Sequence, residues 1–323
     1  MDTQNMNELI NSVRQRIAQV VVGREEAVEL LLTTLLAGGH ALLEDVPGTG
    51  KTLLAKSLAA SLSGAFRRIQ FTPDLLPSDL SGIHYFNPKT SEFEFRPGPV
   101  FTHILLADEI NRATPRTQSS LLECMEERQV TIDGETHLLE APFMVIATQN
   151  PVDNQGTFPL PEAQLDRFLM RIRMGYPEFE EGMRILRRFQ SGNPLARLEP
   201  AAEVAQIVQA QQVCAQLPVE DDLIAYILRI TEATRTHPEV RLGASPRASQ
   251  ALLRASQALA LVRGRSFVSP DEIKAVAVPV LAHRLQLNRS VLDGAEKAEE
   301  LVSSVLKQVT VPTEPVETAG TAG

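Results

Sequence analysis

The sequence predicts an α/β domain, a parallel sheet with helices on both faces and two β-hairpin inserts, followed by an all-α domain. Three observations predict it. Short apolar runs alternate with stretches of helical periodicity between residues 40 and 174, the pattern of strands covered on both faces by crossover helices. Two segments inside that region alternate with a period of two around turn residues, as hairpins do. Beyond Gly175-Tyr176-Pro177 no further strand is convincing, and residues 199–308 read as a run of helices.

Taken in order, residues 7–20 and, more strongly, 25–36 are amphipathic helices, separated by the apolar run Val20-Val21-Val22 and the turn residue Gly23. Residues 40–44 read as a short buried strand, followed by a Gly/Pro turn and a helix over 51–62. Further strands are expected at 68–71, 103–108, 143–148 and 168–174, with a helix over 116–128. One hairpin pairs residues 83–86 with 92–96 across Asn87-Pro88. The other pairs 129–132 with 135–138 around Asp133-Gly134, a strong hairpin-turn dipeptide. In the helical run over 199–308, residues 247–263 place Ala248, Ala251, Leu252, Ala255, Leu259 and Val262 on one face. Ser269-Pro270-Asp271-Glu272 opens another helix with a capping box. The expected divisions are an α/β domain over 1–178, a linker over 179–195, a helical domain over 196–310 and a disordered tail over 311–323.

Composition narrows the function. A chain of 323 residues, 43% hydrophobic and 22% charged, exceeds one ordinary core and is not disordered as a whole. Lys plus Arg number 31 against 40 Asp plus Glu, a formal charge of −9, which disfavours a broad nucleic-acid surface. Two cysteines and no helix-spaced histidine pair argue against a disulfide framework or a zinc centre. The apolar stretch over 28–43 is broken by Glu29, Gly38-Gly39 and His40, so no membrane span is expected. The start of the chain lacks a charged-then-apolar signal pattern, and a cytoplasmic protein is expected.

The chemistry begins at Pro47-Gly48-Thr49-Gly50-Lys51-Thr52, between a strand and a helix. Glycines at such a turn let backbone N–H groups curl around phosphate oxygens at a helix N-terminus. Lys51 would reach the β- and γ-phosphates, and the Thr52 hydroxyl would ligate Mg²⁺. The P-loop pattern asks for glycine at position 45, where this chain has Asp45. A second apolar strand ends in Asp108-Glu109. Asp108 suits a Mg²⁺ ligand acting through water, and Glu109 suits the base that polarises an attacking water for γ-phosphate hydrolysis.

Several blocks then occur in order. They are PGTGKT (47–52), the insert from TPDLLPSD to FRPGPVF (72–101), LLADEINRA (105–113), TQSSLLECMEERQVTIDG (117–134), ATQNP (147–151), LPEAQLDRF (160–168) and GASPRAS (243–249). Together they resemble the MoxR-type AAA+ ATPases over roughly residues 20–290, and Asp45 fits that group. The resemblance implies a P-loop AAA+ domain with a helical lid and a nucleotide, ATP with Mg²⁺, between the two. It puts Asn150 at the sensor-1 position, Arg167 at the arginine-finger position with Arg171 and Arg173 as rivals, and Arg247 at sensor 2. There Arg247 would lean from the first turn of the lid helix toward the nucleotide. Val22 and Gly23 would line the adenine pocket, Leu53 would join the P-loop contacts, and Arg112 would face a subunit interface.

The resemblance further implies a ring, expected to be a hexamer, and a chaperone-like role in assembling, activating or inserting metal into a client complex. A protein with a von Willebrand factor A domain is an expected partner, and the two hairpins are the expected remodelling surfaces. Three other readings stay open: a metal-chelatase motor subunit, an ATP-gated scaffold without turnover and, less favoured, a nucleic-acid motor. The last is weakened because Arg128 and His137 stand against Glu127, Asp133 and Glu135 around the second hairpin.

Overall fold

The structure, a computed structural model, describes residues 3–46, 48–150, 156–190, 192–288 and 294–312. Helices α1 (Thr3–Val20) and α2 (Glu25–Leu36) precede β1 (Ala41–Glu44) and α3 (Lys51–Ala60). Then come β2 (Phe66–Gln70), the short α4 (Pro77–Ser81), and the hairpin of β3 (Gly82–Asn87) and β4 (Glu92–Pro97). β5 (Ile104–Asp108) and α5 (Pro115–Glu127) lead to the second hairpin, β6 (Gln129–Ile132) and β7 (Glu135–Leu138). β8 (Met144–Gln149), α6 (Glu162–Leu165) and β9 (Met170–Ile172) complete the sheet region.

Five strands form one parallel sheet in the order β2-β5-β8-β1-β9. Successive residues of a strand point to opposite faces, and the core divides accordingly. Ala41, Leu43, Ile104, Leu106, Met144 and Ile146 belong to one apolar cluster, with α1, α2 and α3. Leu42, Leu105, Ala107, Val145 and Ala147 belong to a second, with Leu80 of α4 and Leu121, Leu122 and Met125 of α5. Burial on both faces explains why β1, β5 and β8 read as nearly continuous apolar runs.

Both hairpins form, with Phe86 opposite Phe93 and Ile132 opposite Glu135; in the first, Asn87 still pairs with Glu92 and the turn follows it. Asp133 and Gly134 take φ of 51° and 89°, as a two-residue type I′ turn requires. The hairpins touch each other: His84 Nδ1 lies 2.8 Å from the Asp133 carboxylate, and Phe95 stacks on His137 at 4.6 Å between centroids.

After the sheet come α7 (Phe179–Gln190), α8 (Val204–Ala215), α9 (Asp221–Thr236), β10 (Val240–Leu242), α10 (Pro246–Val262), α11 (Pro270–Leu281), β11 (Gln286–Leu287) and α12 (Gly294–Gln308). Three features differ from expectation. The segment expected as a linker over 179–195 is mostly the helix α7. A two-stranded antiparallel pair, β10 with β11, interrupts the helical run; strands of three and two residues are too short to show a period. The helical region also lacks a core of its own, because its buried residues continue the cluster that covers the sheet. The centre of that junction is α10, with 12 of its 17 residues buried. Residues 313–323, most of the expected tail, lie outside the described residues, as does Pro47.

Candidate active site

Parallel order brings the ends of β5, β8 and β1 side by side, and ligands of open α/β sheets bind at such carboxyl ends. After β1, Gly48 and Gly50 take φ of +85° and +98°, the left-handed region that suits glycine. Among the described residues, nothing beyond its chain neighbours lies within 4 Å of where a Cβ on Gly48 would sit. Gly50 caps α3, whose first residue is Lys51. Lys51 Nζ donates to the carbonyls of Asp45 and Val46, the latter at 3.1 Å. Burial pushes its pKa down, while Asp45, Asp108, Glu109 and Glu44 oppose that shift, so the ammonium shares one electrostatic field with the carboxylates of β5. Thr49 is buried, with its hydroxyl on the Val46 carbonyl at 3.2 Å. Thr52 is half-buried in the first turn of α3.

Asp108 and Glu109 are organised by a residue the sequence did not single out. Thr148 Oγ1 donates to Asp108 Oδ1 at 2.6 Å and accepts the Glu109 backbone N–H at 2.9 Å. Glu109 holds φ 56°, ψ 51°, a conformation that costs a non-glycine residue about 1 kcal/mol or more and recurs at working sites. Its carboxylate accepts from Gln70 Nε2 at 2.7 Å and pairs with Arg112 at 3.0 Å. The other oxygen of Asp108 accepts from Arg68 at 2.7 Å. Arg68 and Gln70 lie on β2, beside β5. Asn150 follows β8 and is half-buried at the same edge of the sheet.

A cavity of about 700 Å³ adjoins the loop, lined by Val20, Val21 and Val22, by Gly48, Thr49, Gly50 and Leu53, and by α7. Val22 and Leu53 therefore line the cavity beside the phosphate loop. Gly23, at φ +67°, lies under the Glu181 carboxylate of α7, where a Cβ would come within 2.1 Å of its carbon. The wall from α7, with Ile185 and Phe189, was not foreseen. Its signal is the helical spacing of Phe179, Met183, Leu186 and Phe189.

Arg167 and Arg247 are found elsewhere. Both line a second cavity, of about 170 Å³, with Arg128, Arg254, Glu126 and Asp166 and with no P-loop residue. Arg167 Nη1 donates to the Leu122 carbonyl at 2.5 Å. Arg247 pairs with Glu126 and reaches Asp166 at 3.7 Å. Arg247 thus stands apart from the phosphate loop of its own chain, with the first turn of α10 facing the end of α5. The rivals Arg171 and Arg173 are committed inside the molecule, to Glu44 at 3.4 and 3.6 Å and to Glu299 of α12 at 3.1 and 3.3 Å.

The fold and this loop define a AAA+ ATPase, and the comparisons agree. Residues 40–170 match the ATPase family associated with various cellular activities (AAA), and residues 232–305 match the AAA lid domain. YeaC of Bacillus subtilis is 47% identical, over 96% of this chain and 97% of that protein. Chaperone MoxR1 of Mycobacterium tuberculosis is 42% identical, over 92% of this chain and 80% of its own length. A crystal structure from Cytophaga hutchinsonii, of a protein provisionally named an ATPase, superposes with a TM-score of 0.88 at 38% identity, covering 96% of this chain and 97% of that one. The chain belongs to the MoxR-type AAA+ ATPases, a nucleotide-binding family. Among the described residues, no helix is long and apolar enough to cross a membrane.

The residues fit the family's nucleotide. Gly48 and Gly50 leave backbone space for phosphates, and the apolar walls of the larger cavity suit a base. Thr52 and Asp108 offer hard oxygen donors, the kind Mg²⁺ prefers.

Proposed function

We propose that the protein is an ATP-hydrolysing, chaperone-like motor that works as a ring, expected to be a hexamer, and assembles, activates or inserts metal into a client complex. The observation that carries the ring is the separation of Arg167 and Arg247 from the P-loop. Two guanidiniums lining a cavity without P-loop residues serve a phosphate only if a neighbouring copy presents it. This reading moves Arg247 to the same side of the subunit interface as Arg167.

Within one copy the roles follow from charge and reach. Lys51 holds the β- and γ-phosphates. Thr52 and Asp108 hold Mg²⁺, which when bound neutralises charge on those oxygens. Glu109, fixed by Thr148 and Gln70, accepts a proton from water as the water oxygen attacks the γ-phosphorus and the bond to the β-phosphate oxygen breaks. Asn150 orients that water. Arg167 and Arg247 of the adjacent copy stabilise charge developing in the transition state.

The joined hairpins expose Ile83, Phe86 and Phe93, the last at 74% of its surface, and are the client-facing side of this reading. A partner with a von Willebrand factor A domain and a cytoplasmic location complete it, on the strength of the resemblance. The test is the steady-state ATPase rate against protein concentration for wild type, Glu109→Gln and Arg167→Ala, with assembly followed separately by light scattering. A specific rate that rises with concentration and is lost in both variants supports the motor. Tight ATP binding without turnover at any concentration favours the scaffold instead.

A further inference from the structure

Position 45, where the P-loop pattern has glycine, is occupied by a carboxylate with defined work. Asp45 Oδ1 accepts the backbone N–H of Val46 at 2.8 Å. Its Oδ2 accepts those of Met174 and Gly175, at 3.1 and 2.6 Å. Those two residues lie between β9 and α7, 129 and 130 positions along the chain. The other side of Gly175 is held as well: Arg24 Nη2 donates to its carbonyl at 2.9 Å, while Nη1 donates to the Gly23 carbonyl at 3.0 Å. Arg24 also pairs with Glu181 of α7 at 3.6 Å. Gly175, with φ +66°, is therefore the joint where α7 leaves the sheet, gripped from the phosphate loop by Asp45 and from the Val22-Gly23 segment by Arg24.

The same Asp45 gives its backbone carbonyl to Lys51. One residue thus touches the phosphate-binding lysine and the root of the helix that walls the larger cavity. Resting on the nucleotide-site reading above, the geometry points to Asp45 as a positioning residue for the base. By fastening α7 to the P-loop, it sets how tightly the nucleoside end of ATP is held, and its loss should cost the base more than the phosphates. A glycine at this position offers no acceptor to the Met174 and Gly175 amides, so the root of α7 would be held by Arg24 alone. Charged acceptors make stronger hydrogen bonds than neutral ones, and asparagine would retain one oxygen of the two.

The experiment compares ATP with inorganic tripolyphosphate, which carries the phosphate chain without a base, on wild type, Asp45→Asn and Asp45→Gly. Calorimetric titration gives both dissociation constants for each protein, and thermal melting of the same samples reports stability. Asp45→Gly is expected to weaken ATP by about tenfold or more while tripolyphosphate changes by less than about threefold. Asp45→Asn should fall between. A purely structural role would lower the melting temperature and leave the ratio of the two constants as in wild type; that result overturns the inference. An equal loss for both ligands overturns it too. Failure of wild type to bind ATP at all would instead remove the nucleotide-site reading, and this inference with it.

Discussion

Arg284 is anchored by Asp166, Nε to Oδ1 at 2.6 Å, and Asp166 immediately precedes Arg167. The Arg284 side chain is only 4% exposed, and its guanidinium further donates to the carbonyls of Phe168 and Leu169 at 2.7 and 3.1 Å. Burial pulls the Arg284 pKa down to about 10 against the opposing pull of Asp166. The turn carrying Arg167 is thus tied to the helical region through this ion pair and these carbonyl bonds, and Arg247 reaches the same carboxylate at 3.7 Å. Removing one partner of a buried pair strands the other charge, at a cost of about 3 kcal/mol or more. Asp166→Asn should lower stability by that order in denaturant titration. A change below about 0.5 kcal/mol would show that the carbonyls alone support Arg284.

Thr148 serves both carboxylate residues with one hydroxyl. Thr148→Val keeps the shape and removes the bond to Asp108 and the acceptor for the Glu109 amide. Hydrogen bonds to charged groups contribute about 1.5–3 kcal/mol, so kcat should fall about ten- to a hundredfold. Because the Thr148 hydroxyl bonds to Asp108 and Glu109, the affinity for ATP should change less than kcat. Measured kcat and an independent ATP dissociation constant separate the two; a loss confined to binding would contradict the assignment.

Two histidines make the fold sensitive to mild acid. His40 is buried, with Nε2 on the Met125 carbonyl at 3.0 Å and Nδ1 accepting the Val145 N–H at 2.9 Å. Burial first, and Arg128 second, push its pKa from 6.5 down to about 3. Burial, then Arg284 and Arg171, also push His283 well down. A group with a depressed folded pKa contributes stability that is full above the unfolded value and is lost as pH falls through the window between the two. Unfolding free energy should therefore decline from pH 6.5 toward 5, by about 2 kcal/mol from His40 alone. Urea titrations at pH 7.5, 6.0 and 5.0 test this, and a flat profile would contradict it.

The phosphate loop and the Asp108-Glu109 pair were legible because each is a contiguous block fixed to the end of one strand. Local alternation and Asp133-Gly134 made the hairpins legible for the same reason. The partners of those residues were not. Arg68, Gln70 and Thr148 reach β5 through the sheet order β2-β5-β8, which no local period encodes. Arg247 was placed at sensor 2 by the resemblance of the block over 243–249, but its direction depends on how deeply α10 is buried. α7 is amphipathic in sequence, yet Gly192-Asn193-Pro194 after it gives the segment the composition of a connector. Asp45 looked like a mere departure from a pattern until its distant amide partners were seen.

The central claim is that one copy supplies Lys51 and its neighbour supplies Arg247. Lys51→Ala and Arg247→Ala, each inactive alone, should regain ATPase activity when mixed, since the first can donate its arginine to the intact P-loop of the second. Random mixing at equal amounts predicts about a quarter of the wild-type rate. A mixture that stays as inactive as its components, while size-exclusion chromatography shows the two variants in shared rings, would contradict the claim and return Arg247 to its own chain's nucleotide.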